Sequence, residues 1–314
     1  MLFHEFLHLT YDYKELIAFL AQKKVIRNQI TCPRCNKLVH LNVEQSQSLM
    51  MHCSNMYYKK VRGRKRIRKT CNFKISALTN TWFVRAALDL PRICRLICYF
   101  LLLNSPRQLI LQQELSITSH TAVDWINFCR ELLAQWLSHN EEQIGGLNVI
   151  VEIDEAKFGR RKYHRERLIT GQWLFGGIER HTGRFFVVPV EQRSSQILTP
   201  IILRHIAPGT IIHSDCWKAY NELKEHYTHQ VVNHSEHFVD PHTGVHTQNI
   251  ERVWRDIRHA IPKFGTRNYH YVHYLAEFVF KRKFQYSERI CTFFEIMAQL
   301  YPLNENSTPA NEES

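Results

Sequence analysis

Three acidic side chains in the second half of the chain have the types and positions needed to bind divalent metal ions. Asp154 ends the apolar segment VIVEID, Asp215 ends TIIHSD, and Glu251 lies within HTQNIERVWRDIRHAI. Carboxylate oxygens suit hard cations such as Mg²⁺ or Mn²⁺. Two such ions about 4 Å apart can stabilise the attacking and leaving oxygens of a phosphoryl transfer. The three acids therefore predict a two-metal site for chemistry on a phosphodiester.

Each of these acids, taken alone, also fits a structural role. Asp215 could cap the helix predicted for WKAYNEL. Glu251 could pair with Arg255 on a helix surface, an interaction worth only about 0.3–0.5 kcal/mol. Glu152 shares a strand face with Asp154, because side chains alternate along a strand, and is a secondary candidate ligand. The spacing of the acids alone leaves these alternatives open.

Apolar periodicity indicates the elements that would position the acids. Residues 147–288 predict an α/β domain in which a mixed sheet is flanked by helices. The predicted strands are NVIVEID, QWLFGGIER, RFFVVPVEQ, TIIHSD and HQVVN, with HTG as a hairpin turn between the second and third. The predicted helices are SSQILTPIILRHI with a serine cap, WKAYNELKEHY, the segment around Glu251, and Tyr271 to Phe284. Asp154 and Asp215 each end a strand, where α/β sheets place their sites.

Several segments in this half carry a family resemblance. In chain order they are VEIDEAKFGRRKYHR, WLFGGIER, IIHSDCWKAYNEL and VNHSEHFVDPHTGVHTQNIERVWRDIR. They resemble the catalytic domain of Merlin-type DNA transposases and of their bacterial ISXO-like insertion-sequence relatives. The resemblance implies a ribonuclease-H-like fold and a DDE transposase, with Asp154, Asp215 and Glu251 as the catalytic, metal-binding acids. Some bacterial relatives have asparagine as the third ligand, so Asn249 is a secondary candidate.

The helix that carries Glu251 also carries cations. Arg258 lies two helical turns beyond Glu251 on the same face, where the resemblance implies a basic residue. Its guanidinium would bind a DNA phosphate while Glu251 holds metal. Arg255 is a second candidate for DNA binding. Trp254 is predicted to pack in the core rather than to stack on a base.

Histidines and one cysteine also lie near the acids. The histidines are His213, His234, His237, His242 and His246. Their spacings match no single zinc site well, so phosphate contacts or loop packing are the favoured interpretation. Cys216, which follows Asp215, is predicted to be a structural thiol.

Four of the nine cysteines predict a structural Zn²⁺ site in a zinc-ribbon-like domain over residues 31–84. The four are Cys32, Cys35, Cys53 and Cys71. The first two form the tight pair CPRC, whereas the second pair is split by an insertion. His52 or His40 could substitute for a cysteine, and a set of unmetallated thiols is the alternative. The family resemblance also implies an N-terminal zinc ribbon.

The insertion between the last two of these cysteines is strongly basic. Residues 59–69, KKVRGRKRIRK, hold eight cations in eleven positions and no acid. The cations are Lys59, Lys60, Arg62, Arg64, Lys65, Arg66, Arg68 and Lys69. Solvated loops usually mix both signs of charge, so we predict DNA binding, nuclear import or both.

Helical patterns lie on both sides of the zinc-ribbon region. Residues 1–30 predict one amphipathic helix, over 11–25. Residues 88–140 predict three helices that form a helix-turn-helix DNA-binding region, with Asp89 as an N-cap. The helix from Ser119 is the better candidate for insertion into a DNA groove. Core positions are predicted for Cys94, Cys98 and Cys129.

The overall composition favours an anionic partner. Lysine and arginine outnumber the acids 41 to 29, which favours double-stranded DNA. The longest apolar run is too short to span a bilayer, and the N-terminus lacks an apolar signal peptide, so we expect no membrane partner. The expected location is the nucleus in a eukaryotic host or the cytoplasm in a bacterial one. Residues 302–314 are polar and predict a disordered tail.

These features together predict a cut-and-paste DNA transposase. It would bind terminal inverted repeats, cleave strands and transfer them to target DNA, as a homodimer or higher oligomer because two ends must be handled together. One alternative is a domesticated, sequence-specific DNA-binding protein without catalysis, although the presence of all three acids argues against it. Another is a structure-specific nuclease on the same fold.

Overall fold

The computed structural model of the protein describes residues 1–43, 49–60, 66–105, 107–159, 171–233, 236–262 and 266–303. Several predicted positions lie outside the described residues: the side chains of Lys59 and Lys60, then Arg62, Arg64, Lys65, His234, and residues 304–314 of the tail. Among the described residues, no helix has both the length and the apolar character that a bilayer crossing requires.

Helices and strands follow one another along the chain in three groups. The first is α1 (Phe3–Leu9), α2 (Tyr13–Gln22), β1 (Gln29–Thr31), β2 (Leu38–His40), β3 (Met50–Cys53), β4 (Met56–Lys60), β5 (Arg66–Thr70) and β6 (Phe73–Ser76). The second is α3 (Leu90–Leu102), α4 (Gln108–Leu115), α5 (Ser119–His139), β7 (Ile150–Phe158), β8 (Gln172–Glu179) and β9 (Phe185–Val190). The third is α6 (Ser195–His205), β10 (Ile211–Asp215), a 3₁₀ helix (Lys218–Glu225), β11 (Thr228–Val232), α7 (Gln248–Ala260), a 3₁₀ turn (Asn268–His270), α8 (Tyr271–Lys283) and α9 (Arg289–Leu300).

The chain divides into two compact units. One comprises Met1–Leu103, Leu109–Trp125 and the chain from Gln285 onward, and the other comprises Asn104–Gln108 and Ile126–Phe284. In the first unit the rings of Phe6, Phe19 and Phe294 contact one another, which joins α1, α2 and α9 in one aromatic core.

The N-terminal region differs from the single helix predicted over residues 11–25. Asp12 caps α2 by accepting hydrogen bonds from the backbone N–H groups of Lys14 (2.9 Å) and Glu15 (3.1 Å), which sets the start of the helix. Lys24 has a φ of 58°, a left-handed conformation that ends it. The helices α1 and α9 are not among the sequence predictions.

The central helices agree with the sequence patterns. Asp89 accepts a hydrogen bond from Arg92 N–H (2.9 Å), so the predicted N-cap of α3 is confirmed. Cys94, Cys98 and Cys129 are fully buried, which confirms their core positions. The connection between α4 and α5 turns at Ser116, whose φ is 51°. Binding of a DNA groove by α5 stays a prediction.

A five-stranded mixed sheet forms the centre of the second unit. Its strand order is β11-β10-β7-β8-β9. β7, β8 and β9 pair antiparallel, whereas β10 lies parallel to β7 and β11 lies parallel to β10. One face packs on α6 and the 3₁₀ helix through Val151 and Ile153, and the other packs on α7 and α8 through Ala156 and Phe158. The predicted mixed α/β sheet is therefore confirmed.

Two predicted helix features of this unit need correction. WKAYNELKEHY forms a 3₁₀ helix, and its two buried residues, Tyr220 and Leu223, are three positions apart, which matches the period of three residues per turn. Ser194 occupies the N-cap position of α6, but its side chain makes no capping hydrogen bond.

A buried ion cluster links α8 to two other segments of the second unit. Glu277 accepts hydrogen bonds from Arg107 (2.8 Å), Arg130 (2.8 Å) and Lys281 (2.9 Å). Burial alone would raise the pKa of Glu277, but the charges of Arg107, Lys281 and Arg130 lower it to about 2. We expect Glu277→Gln to lower the free energy of unfolding by about 3–5 kcal/mol, because it leaves buried cations without their anion. Chemical denaturation at pH 7 measures the loss.

The pH dependence of this cluster has a definite sign. Because the folded-state pKa of Glu277 is depressed, its contribution is present above the ordinary glutamate range and is lost as the pH falls towards 2. Glu142→Gln is the matched control, since Glu142 forms an exposed pair with Lys283 and should change stability by less than about 1 kcal/mol. Equal effects of the two substitutions would contradict the prediction.

Candidate active site and cysteine cluster

The sheet brings two of the predicted acids onto neighbouring strands. Asp215 ends β10 as predicted, whereas Asp154 lies in the middle of β7, because the pairing with β8 extends that strand to Phe158. In the parallel pair of β10 and β7, His213 lies opposite Glu152. Continuing this register by two residues places Asp215 level with Asp154. Burial, together with the negative charges of Glu155 and Asp215, raises the pKa of Asp154 to about 7. The carboxylates of Asp154 and Asp215 are therefore close enough to repel each other.

Helix α7 packs directly over Asp154. Trp254, which is 2 % exposed, donates a hydrogen bond from its indole N–H to Asp154 Oδ2 (2.9 Å). Gly176 lies opposite Asp154 in the pair of β7 and β8. A Cβ at Gly176 would lie 2.9 Å from Trp254 Cη2 and 2.7 Å from Phe186 O, so the absent side chain makes room for the indole. The predicted core position of Trp254 is confirmed, whereas its hydrogen bond to Asp154 was not predicted.

A cavity of about 1130 Å³ lies between α7 and the sheet. Its walls include Asp154 and Glu251, which come from different elements. They also include four cations: Lys157, Arg193, Arg255 and Arg258. The spacing of four and seven residues from Glu251 places Arg255 and Arg258 on one exposed stripe of α7. The cavity therefore combines carboxylates with a cationic wall.

The three predicted acids do not converge to ligand distance in this structure. Asp215 is not among the residues that line the cavity, and its Oδ1 accepts a hydrogen bond from Trp217 N–H (3.1 Å). Thr247 donates its hydroxyl hydrogen to Glu251 Oε1 (3.3 Å). Within the described ranges, the four cysteines form the only group of three or more metal-type ligands whose atoms all lie within 4.8 Å of one another.

Glu155 is a further acid of this site that the sequence reasoning did not single out. It lines the cavity beside Asp154. Burial, together with the charge of Asp215, raises the pKa of Glu155 to about 7 against the opposing charge of Arg193. Its Oε1 is buried without a hydrogen-bond partner. The adjacent acids Asp154 and Glu155 in VEIDE were the available signal.

The secondary candidates Glu152 and Asn249 bond to each other. Glu152 is fully buried and accepts hydrogen bonds from both the backbone N–H and the side-chain Nδ2 of Asn249, each 2.8 Å long. Neither residue lines the cavity. Their assignment as metal ligands stays a prediction.

The histidines around the acids occupy different environments. His213 is buried on β10, where burial and the charge of Arg180 lower its pKa to about 4. His246 Nδ1 lies 3.3 Å from Glu152 Oε1, and His237 and His242 are exposed. No histidine belongs to a metal-type group in the part of the chain that the structure describes.

The acid cluster meets the chemical requirements for a hard divalent cation. Its donors are carboxylate oxygens, which Mg²⁺ and Mn²⁺ prefer. Asp154 and Glu155 both have raised pKa values, partly because neighbouring carboxylates repel them, and Glu155 Oε1 is buried without a partner. A bound cation would offset this repulsion. The residues present therefore fit the metal that the predicted chemistry needs.

The cysteine cluster lies in the first unit, and its four Sγ atoms all lie within 4.8 Å of one another. The Sγ atoms of Cys32 and Cys71 are 3.4 Å apart, and those of Cys35 and Cys53 are 3.5 Å apart. Asn36 N–H donates to Cys32 O (2.8 Å) and closes the tight turn of the CPRC segment. The cluster contains neither His40 nor His52. This group of four thiols could bind zinc.

A β-hairpin explains how the split pair of cysteines comes together. Strands β4 and β5 pair antiparallel, and Met56 lies opposite Thr70 at the base of the hairpin. Cys71 N–H donates to Asn55 O (2.9 Å) just below this pair. The insertion therefore leaves and returns at one point, so Cys53 and Cys71 meet although seventeen residues lie between them. Every residue of β5 is exposed, including Arg66, Arg68 and Lys69.

The comparison with protein families addresses the second unit. Residues 145–283 match the family model of the ISXO2-like transposase domain. Asp154, Asp215 and Glu251 all lie within this match, which spans less than half of the chain. An uncharacterized transposase-like protein of Haemophilus influenzae is 29% identical over 96 residues, which cover 30% of this chain and 76% of the relative. These two findings support a transposase.

Two solved structures show only a distant likeness. A chain of the simian T-cell lymphotropic virus intasome in complex with PP2A regulatory subunit B56 gamma is 14% identical, covers 66% of this chain and 76% of its own, and has a TM-score of 0.28. A chain of the Mos1 strand transfer complex is 9% identical, covers 60% and 74%, and has a TM-score of 0.16. Likeness at this level adds nothing to the assignment. The narrower resemblance to Merlin-type transposases stays a prediction.

Proposed function

We propose that the protein is a DNA transposase that binds terminal inverted repeats and catalyses metal-dependent strand cleavage and strand transfer. The observation that carries the proposal is the placement of Asp154 and Asp215 on adjacent parallel strands, with the helix that bears Glu251 packed over Asp154. The strand order, with three antiparallel strands followed by two parallel ones, supports the ribonuclease-H-like fold that the sequence resemblance implies. The match to a transposase domain covers all three acids.

In this proposal Asp154, Asp215 and Glu251 hold two Mg²⁺ or Mn²⁺ ions, with Glu155 beside them. The ions supply activation of a water or a 3′-hydroxyl and stabilisation of the leaving oxygen. Trp254 orients Asp154 through its indole N–H. A shift of α7 would bring Glu251 nearer to Asp154, since both residues line one cavity.

The cationic wall of the cavity would bind the DNA backbone next to the acids. Arg255 and Arg258 can each form paired hydrogen bonds with a phosphate. The basic hairpin of β4 and β5 is a second DNA-binding surface, since a two-stranded ribbon fits the major groove. Structural Zn²⁺ in the cysteine cluster would hold the base of this hairpin. With DNA as the substrate, the proposed location is the nucleus of a eukaryotic host or the cytoplasm of a bacterial one.

Two DNA ends must be processed together, so we propose a homodimer or higher oligomer on DNA. A domesticated DNA-binding protein remains the contrasting hypothesis. It predicts tight binding of terminal repeats without cleavage, whereas a structure-specific nuclease would cut according to DNA shape rather than sequence.

Strand cleavage of labelled DNA that carries the element's own terminal repeats tests the proposal. We expect cleavage at the repeat ends that requires Mg²⁺ or Mn²⁺ and is abolished by Asp154→Ala, Asp215→Ala and Glu251→Ala individually. Asp256→Ala is the matched control, because Asp256 is an acid on the same helix that pairs with Arg282 and does not line the cavity. Specific binding without cleavage by the unmodified protein would overturn catalysis and favour the DNA-binding alternative.

A further inference from the structure

A buried polar network connects the three elements that carry the candidate acids. Its members Glu152, His213 and Asn249 lie on β7, β10 and α7 respectively. Each of them precedes by two residues an acid of the proposed site: Asp154, Asp215 and Glu251. On a strand, side chains two positions apart share a face, so Glu152 and His213 lie directly beneath the acids of their strands.

Arg180 is the centre of this network. Its Nε and Nη2 both lie 3.0 Å from Glu152 Oε1. Nη2 also lies 3.0 Å from His213 Nδ1 and donates to His246 O (3.1 Å). One guanidinium at the end of β8 thereby joins β7, β10 and the loop that leads into α7.

Glu152 fixes the start of α7 from outside the helix. Thr247 holds the N-cap position without a side-chain capping bond. Glu152 Oε2 instead accepts hydrogen bonds from the backbone N–H groups of Asn249 (2.8 Å) and Ile250 (3.2 Å). These amides belong to the first turn, which has no partners within the helix and attracts negative charge. A carboxylate of β7 therefore caps the helix that carries Glu251.

We propose that Arg180 and Glu152 are positioning residues, which set the place of Glu251 relative to Asp154 and Asp215 and so determine the metal affinity of the site. This inference rests on the proposed function for its metal readout. Glu152 is fully buried and does not line the cavity, so it acts through α7 rather than on substrate. Arg180 supplies the charge and the geometry that keep the Glu152 carboxylate aimed at the first turn of α7.

The first measurement is Mn²⁺ binding to the full chain, followed by electron paramagnetic resonance. We expect Arg180→Gln and Glu152→Gln to weaken Mn²⁺ binding about 10–100-fold, the range typical of lost partners behind a metal ligand. Arg180→Lys keeps the positive charge but loses the planar guanidinium with its paired N–H donors. Its Mn²⁺ affinity should therefore lie between that of these variants and that of the unmodified protein.

Arg184→Gln is the matched control. Arg184 flanks the same hairpin turn and pairs with Glu179 (2.7 Å), away from the acids. We expect it to leave Mn²⁺ affinity within about twofold of the unmodified value, since it does not contact the network. Circular dichroism at the assay temperature identifies the variants that are folded. If Arg180→Gln is unfolded, Arg180→Lys replaces it in the comparison of Mn²⁺ binding.

A second readout does not depend on metal. Hydrogen exchange at the backbone amides of Asn249 and Ile250 should speed up in Arg180→Gln and Glu152→Gln but not in Arg184→Gln. Folded Arg180 and Glu152 variants that match Arg184→Gln in both exchange and Mn²⁺ binding would overturn the inference. If Asp154→Asn and the unmodified protein bind Mn²⁺ equally, the proposed metal site fails, and the exchange measurement still decides whether the network positions α7.

Discussion

Replacement of Asp154 by asparagine is expected to stabilise the metal-free protein at pH 8 while abolishing its response to divalent ions. Burial, with the charges of Glu155 and Asp215, raises the pKa of Asp154 to about 7, so ionisation of this carboxyl opposes folding. Asparagine removes the charge and keeps an oxygen that can accept the hydrogen bond from Trp254. We expect a gain of roughly 1–3 kcal/mol in the free energy of unfolding.

The sign of the pH dependence follows from this raised pKa. The folded protein keeps the Asp154 proton up to about pH 7, whereas the unfolded chain loses it near the ordinary value of 3.8. The folded state therefore binds more protons between these limits, and the free energy of unfolding falls as the pH rises through them. Above about pH 7 the loss is complete. The Asp154→Asn protein should lack this contribution.

Thermal unfolding at pH 5 and pH 8, with and without Mn²⁺, measures both effects. Mn²⁺ at 100 times its dissociation constant should stabilise the unmodified protein by about 2.7 kcal/mol, and the variant should show no such gain. The rate of DNA strand cleavage by Asp154→Asn should fall by more than roughly 10–100-fold, the loss typical when a residue hydrogen-bonded to a metal ligand is removed. Asp256→Asn serves as the control. An Asp154→Asn protein that is no more stable at pH 8, or that Mn²⁺ still stabilises, would contradict this account.

Replacement of Cys71 by serine is expected to release zinc and unfold the region from β1 to β6. The core of this region consists of few apolar residues and includes Cys32, Cys53 and Cys71 themselves. Apparent binding energies for structural zinc are about 10–16 kcal/mol, so we expect this small core to depend on a bound zinc ion. Hydrogen bonds from the Asn55 side chain and the Lys37 backbone lower the pKa of Cys35 to about 6, while burial raises that of Cys53 to about 12.

Zinc content measured by atomic emission spectroscopy, and resistance to limited proteolysis, test this second prediction. The unmodified protein should hold one zinc per chain and resist cleavage between β1 and β6, and Cys71→Ser should lose both properties. Affinity for DNA should fall with them, because the basic hairpin is anchored beside Cys71. Cys216→Ser is the control for zinc content, since that exposed thiol lies outside the cluster. If Cys71→Ser retains one zinc per chain, the assignment of the four cysteines as the zinc ligands is wrong.

Local patterns were sufficient to predict the elements that carry the acids. The alternation in VIVEID and TIIHSD indicated β7 and β10, and the helical spacing around Glu251 indicated α7. The Asp89 cap could also be predicted from the sequence, because its hydrogen bond joins residues only three positions apart. Such features depend on neighbours in sequence, and for them propensity and periodicity are direct signals.

The contacts that organise the site could not be predicted in this way. Trp254 and Asp154 are one hundred residues apart, and Glu152 and Asn249 are ninety-seven apart. Both pairs depend on how α7 crosses the sheet, which no local pattern encodes. Glu155 likewise gains its importance from burial rather than from sequence position. The 3₁₀ helix shows the same limit, because tertiary packing of Tyr220 and Leu223 overrides a helical pattern.

In the hairpin between Cys53 and Cys71, the length of the two strands is independent of the positions of the cysteine sulfur atoms. Residues added in pairs to β4 and β5 lengthen the arm while the base at Met56 and Thr70, and hence the sulfur geometry, stays unchanged. Mutations can therefore change the length and charge of the β4–β5 hairpin while the four cysteines keep their positions. Related chains should vary most in the length of this interval, and a hairpin exchanged between them should carry its DNA preference with it while zinc content stays constant.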